Sequence, residues 1–203
     1  MSRIRFPSGD ELTPDQKAVY DEVVYGPRGR LVGPLRAVIH SPDLAARWSR
    51  FGEFLRFSTC IPKRLNELAI IVVGRHWNSQ LEFQIHSQAA LDAGLEPAAV
   101  EAIRLADTPV FTELQDAEVY EFTRELIQTG GVSDKTHAAV THRWGERGVV
   151  ELTGVIGYYT MVCFTLNAHQ IPLPDKGEGP LLIKGPGPTL VPACQLESQV
   201  AAK

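Results

Sequence analysis

The sequence predicts an all-α protein, and three observations carry that prediction. Helix-start signals recur along the chain: Thr13-Pro14, Ser41-Pro42-Asp43, Glu96-Pro97 and Ser133 each stand ahead of a stretch of helix formers. Apolar residues follow them at helical spacing, and the stretches 64–74 and 150–168 are apolar on nearly all sides, the pattern of helices buried all round. No strand-like alternation of apolar and polar residues competes with this reading.

Taken in order, a first helix is expected from Pro14 to about Tyr25, because Thr13 is a good N-cap and Gly26-Pro27-Arg28-Gly29 stops it. A short apolar run through Ile39 follows Gly33-Pro34. The Ser41-Pro42-Asp43 cap then starts a helix to about Thr59, with Leu44, Trp48, Phe51, Leu55 and Phe57 as its apolar members, and Ile61-Pro62 breaks it. The segment Lys63 to Gly74 contains the β-branched run Ile70-Ile71-Val72-Val73, yet Arg64 to Ala69 leads into it with good helix formers, so a buried helix is expected. The next helix starts near Ser79 and ends at Gly94. Helices over about 97–105 and 116–128 follow. Ser133 caps one that reaches Trp144 to Gly148, and a last long one runs from about Val150 to Ala168. From Ile171 the chain turns Pro- and Gly-rich and reads as an extended tail lying along its own domain or a neighbouring subunit. The expected organisation is an N-terminal helical extension over 1–33, a helical domain over 34–174 and the tail over 175–203.

Length, composition and charge bound the function. With 203 residues the chain can bury one substantial core. A net charge of −4, with basic residues only in short interrupted clusters (Arg28 and Arg30; Arg143 and Arg147), argues against nucleic acid as a partner. The stretch Leu152 to Ala168 is short for a membrane span and carries Thr153, Thr160, Thr165 and Asn167, so a buried helix is expected there and no membrane partner. Three cysteines, Cys60, Cys163 and Cys194, form no Cys-x-x-Cys pair and no zinc-like cluster, which fits a reducing compartment. With no apolar leader at the N-terminus, the expected location is the cytoplasm.

One helix carries a chemical pattern. At about 100° per residue, with Ser79 at zero, Glu82 falls near 300° and His86 near 340°, all on one face flanked by Ile85, Ala89 and Ala93 and by Phe83 and Ala90. A helix that buries this stripe also buries a carboxyl and an imidazole, which is costly unless they are paired or used. Burial is expected to raise the carboxyl pKa and lower that of the imidazole, poising both for proton transfer near neutrality. The plainer alternative is an i,i+4 pair satisfying itself in the core. Ser79, following Asn78 at a helix start, is also explained as a backbone cap, and Arg64 with Glu67 as an i,i+3 ion pair.

The stretches Gly52-Glu53-Phe54-Leu55-Arg56-Phe57, Pro62-x-Arg64-x-x-Glu67-Leu68-Ala69 and Arg75-His76-Trp77-x-Ser79-x-x-Glu82-Phe83-x-x-His86 resemble the carboxymuconolactone decarboxylase-like family, which includes the AhpD alkylhydroperoxidases. The later Glu151-Leu152-x-Gly154-x-x-Gly157-Tyr158-Tyr159, Thr165-Leu166-Asn167-Ala168 and Pro172-Leu173-Pro174 resemble its longer members. The resemblance covers roughly residues 30 to 174. It implies an AhpD-like all-helical fold, assembly into trimers or hexamers, and a small-molecule active site beside a subunit interface. In the hydroperoxidase branch a Cys-x-x-Cys pair precedes the His; here Ser79 and Glu82 stand at those positions, and neither can cycle through a disulfide.

The resemblance instead implies the decarboxylase type of chemistry. This is a lyase or isomerase reaction on a small lactone or unsaturated carboxylic acid, needing no metal or organic cofactor. On that reading His86 is the general acid or base, Glu82 its partner or a second proton carrier, and Glu67 the orienter or relay. Ser79 would donate a hydrogen bond to the substrate carbonyl or to an ordered water, Arg75 and Arg64 are candidates for a substrate carboxylate, and Trp77 is a substrate-binding candidate whose plainer role is packing, with His76 beside it at the edge of the site. Two carboxylates and an imidazole could also share a metal ion. A hydroperoxidase, or a non-catalytic oligomeric ligand-binding protein, remains the contrasting function.

Overall fold

The computed structural model describes residues 2–26, 29, 31, 33–174 and 178–200. Pro27, Arg28 and Arg30, on which part of the expected first helix stop and one basic cluster fall, lie outside the described residues, as do Asp175 and Lys176 at the expected start of the tail. The helices are α1 (Pro14–Tyr25), α2 (Leu35–Val38), α3 (Pro42–Phe57), α4 (Lys63–His76), α5 (Gln80–Asp92), α6 (Pro97–Leu105), α7 (Leu114–Thr129), α8 (Asp134–Ala168) and α9 (Glu197–Val200). Two short strands, β1 (Val110–Phe111) and β2 (Gln195–Leu196), pair in parallel and tie the end of the tail to the segment before α7. The fold is all-α, as the sequence predicts.

The centre of the molecule is α4, which packs against α5, α7 and α8. Every residue from Leu65 to His76 is buried. Its β-branched run Ile70–Val73 is therefore helical because tertiary burial outweighs the modest strand preference of those side chains. Each fully buried Leu or Ile there contributes about 1.5–3 kcal/mol, a driving force large enough to carry polar groups into the same layer.

Capping chemistry explains most helix starts. Thr13 Oγ1 accepts from the Gln16 amide, and Gln16 reciprocates on the Thr13 amide. Ser133 accepts from the Thr136 amide. The stretch expected as two helices is two helical segments, spanned together by α8 and divided at Gly145, whose φ of 67° and ψ of −175° are not helical. By length and composition α8 could cross a membrane, but half of its most apolar window is buried inside the protein, where it serves as a core helix.

The tail lies along its own domain. Arg104 donates to the Pro180 carbonyl, Tyr120 to that of Pro192 and Gln128 to that of Val191. Between them, residues 181–189 lie across the turn joining α4 to α5.

Candidate functional site

The turn between α4 and α5 sets the geometry of the site. Asn78 has a left-handed φ of 54°, which Asn tolerates better than most residues, and this reverses the chain within three residues. The Asn78 side chain accepts from Arg75 Nη1 at 2.5 Å and from Thr189 Oγ1 at 2.9 Å, and donates to the Gly187 carbonyl at 2.9 Å. Close helix approach is made possible by Gly74, where a Cβ would lie 3.4 Å from the Phe83 amide nitrogen of α5. Glu67 lies two helical turns before Gly74 on α4 and so shares the face that meets α5.

Across that contact the sequence motif closes into a three-membered chain. His86 Nδ1 lies 2.6 Å from Glu67 Oε2, and His86 Nε2 lies 2.9 Å from Glu82 Oε1. Glu67, Glu82 and His86 are 2–4% exposed, so the group is buried in the subunit. Burial presses the imidazole toward neutrality. The charge of Glu82 and the hydrogen bonds to both carboxylates outweigh that pressure and lift its pKa from the ordinary 6.5 to about 9. The sequence-based expectation of a lowered imidazole pKa is thereby corrected: two acceptors, one on each ring nitrogen, hold the ring as an imidazolium at neutral pH. The carboxylates face opposite edges of the ring rather than converging with it, and no group of three His, Cys, Asp or Glu side chains among the described residues is arranged to hold a metal ion.

Two residues from α8 complete the surroundings, and neither was assigned a role from the sequence. The Tyr159 ring meets His86 edge to face at 5.1 Å, and its hydroxyl is pushed well above its usual pKa by burial, then by the Glu82 charge. One turn further, Cys163 is fully buried. Its thiol is also pushed well up, first by burial and then by Glu82, while the neighbouring Ser79 opposes the shift. The i,i+4 spacing of Tyr159 and Cys163 was visible in the sequence, but nothing there showed that α8 delivers them to His86.

The remaining candidates divide. Ser79 lies beside this group; it is fully buried, its hydroxyl does not cap α5, and it has no hydrogen-bond partner of proper geometry. Arg64 is not brought to the site: it is ion-paired with Asp116 of α7. Arg75 is buried and used in structure, bridging Asn78 and the Leu182 carbonyl of the tail. Trp77 packs edge to face on His76 and Phe164 and donates to Thr160 Oγ1. The other thiols are raised too, Cys194 to about 12 by burial and Glu121, and Cys60 by burial and Glu151. All three cysteines are free.

No protein-family model and no curated protein matches the sequence. Solved structures do match the fold. A peroxidase-related protein from Silicibacter sp. TM1040 superposes with a TM-score of 0.67 at 14% identity, over 87% of this chain and 95% of that one. A peroxidase-related protein from Ralstonia eutropha JMP134, described as an alkylhydroperoxidase AhpD core, gives 0.67 at 15% identity, over 90% and 98%. A cysteine-to-alanine variant of the debrominase Bmp8, in complex with 2,3,4-tribromopyrrole, gives 0.61 at 13% identity, over 84% and 92%. Helix content, the burial of α4 and these superpositions agree: the chain has the AhpD-like helical fold.

Proposed function

We propose that this protein is a cofactor-independent acid–base enzyme of the carboxymuconolactone decarboxylase-like type, a lyase or isomerase acting on a small lactone or unsaturated carboxylic acid. The observation that carries the reading is the buried Glu67–His86–Glu82 chain, in which an imidazolium with a pKa of about 9 lies between two carboxylates. Such a group stores a proton at neutral pH and releases it along a fixed path. In a decarboxylation the carbon–carbon bond breaks, CO2 leaves, and the electron pair delocalises into the unsaturated system. His86 then passes its Nε2 proton to Glu82, which delivers it to carbon. Glu67 holds Nδ1 throughout, so the ring ends as a single defined tautomer. A debrominase of the same fold is described in complex with a small planar ring, which supports a substrate of that size.

A hydroperoxidase is the second reading, favoured by the two peroxidase-related structures. Against it stand the raised pKa values of all three cysteines, since the thiolate is the reactive form. CO2 release and ultraviolet change with a panel of carboxymuconolactones and β-keto acids test the proposal. Turnover is expected in the wild type and a loss of about a hundredfold or more in His86→Ala. Peroxide consumption that depends on added thiol and on Cys163, with no lactone turnover, would favour the second reading instead.

A further inference from the structure

Away from the buried site, the segment ahead of α1 and the first two helices wall a cavity of about 480 Å3, a size within the roughly 300–1,000 Å3 usual for small-molecule sites. None of its described lining residues belongs to α4, α5 or α8, so it is separate from the Glu67–His86–Glu82 chain. α1 and α2 each pack on α3. From α1 come Tyr20 and Val24, one turn apart on the same face, and from α2 come Arg36 and the C-cap Ile39. Phe6 comes from the segment ahead of α1, which is tied down: His40 Nε2 donates to the Arg5 carbonyl at 2.7 Å, and the Arg3 amide donates to the His169 carbonyl at 2.8 Å.

Arg36 is the one charged side chain among the described residues that line this cavity, and no carboxylate lies among them. Its guanidinium carbon stands 3.7 Å from the centre of the Phe6 ring. That contact occupies a face of the cation and leaves its in-plane N–H fork for other partners. Among the described residues the fork has none. The other described arginines, Arg56 apart, each have an oxygen acceptor, and Arg56 lines no described cavity. Half-buried against Phe6, the Arg36 guanidinium has given up hydration without gaining a counter-ion. The Tyr20 hydroxyl, in the same lining, makes no hydrogen bond with a described residue either. Val24, Leu31 and the fully buried Ile39 make the rest of the wall apolar.

We infer that this cavity is a second ligand site, which takes a small monocarboxylic acid with a hydrocarbon body. The Arg36 fork holds the carboxylate at two points, the Tyr20 hydroxyl adds a hydrogen bond, and Val24, Leu31 and Ile39 receive the body. A phosphate is the poorer match, because one fork among apolar walls balances one negative charge. The plainer role of Arg36, a cation resting on Phe6 to hold the N-terminal segment, needs the ring contact alone and gives no preference for acids.

The inference does not depend on the acid–base reading. Calorimetric titration of the full chain with benzoate, phenylacetate and hexanoate, each beside its neutral alcohol, is the test. At least one acid is expected to bind about tenfold or more tightly than its alcohol. Arg36→Gln should abolish that preference, Arg36→Lys should weaken it by keeping the charge without the fork, and Tyr20→Phe should remove part of it. Melting curves establish that each variant is folded. Followed by nitrogen-15 NMR, the same titration should move the Arg36 Nε signal and leave the His86 ring signals in place. No saturable binding of any of the three acids below about 1 mM, equal binding of acid and alcohol, or a preference retained in Arg36→Gln overturns the inference. So does a titration that moves His86 and not Arg36, which would put the acid in the buried site, or inorganic phosphate binding as tightly as the acids.

Discussion

His86 is buried, charged and bound at both nitrogens, and that combination makes a claim about stability. Its folded pKa of about 9 lies above the ordinary 6.5 expected of the unfolded chain. Protonation therefore favours the folded state: the contribution is complete below about pH 6.5 and is lost as pH rises through 9. Denaturant melts at pH 6, 7.5, 9 and 10 should show wild-type stability falling across that window, and His86→Gln should flatten the fall. Removing one member of the chain leaves the others buried without their partner, so Glu82→Ala and Glu67→Ala should each cost about 3–5 kcal/mol. The Glu82–His86 pair was legible in the sequence because both lie on one helix, at i and i+4. The direction of the imidazole shift was not, because it depends on a second carboxylate delivered by α4, and pattern alone does not weigh two acceptors against burial.

At the scale of elements, helix starts and stops were legible wherever a cap or a breaker marks them. The bounds of α1 and α6 coincide with the expectation, and Gly94 closes α5 with a left-handed φ of 89°. Gly145 marks the break between the two helical halves of α8. Sequence punctuation indicated two helices near this point, and the chain is helical on both sides of this one non-helical residue. With φ of 67° and ψ of −175°, Gly145 occupies a region that only glycine enters readily. Gly145→Ala should therefore cost about 1–3 kcal/mol in denaturant unfolding, although a Cβ there would meet no atom within 4 Å. A neutral substitution would mean that the bend is not fixed by that residue. Arg64 and Arg75 show where sequence reading stops for side chains: their sequence neighbourhood suggested a site, but Asp116 and Leu182, which engage them, lie far along the chain.

At the scale of the whole molecule, the tail and the α4–α5 turn are built as one unit. Gln80 exchanges two hydrogen bonds of 2.8 Å with the Leu181 backbone, copying a strand pair. Thr189 donates its amide to the His76 carbonyl at 2.7 Å, and His76 Nδ1 donates to the Thr189 carbonyl at 2.8 Å. The tail thus clamps the turn from which Ser79 and Glu82 depart, and α4, α5 and α8 supply the rest of the site. An all-α chain was readable from caps and apolar stripes, but the route of the Pro- and Gly-rich tail was not, because many of its contacts are hydrogen bonds made by its own backbone, at Pro180, Leu181, Leu182, Gly187 and Thr189, which leave no side-chain pattern. What unites the molecule is a protonated ring fixed at its centre. The most direct test is a nitrogen-15 NMR titration of the His86 ring in the intact protein. Both ring nitrogens should be protonated at pH 7, with a midpoint near 9 that moves down in Glu82→Gln and Glu67→Gln. A neutral ring at pH 7 with a midpoint at or below 6.5 would contradict the account.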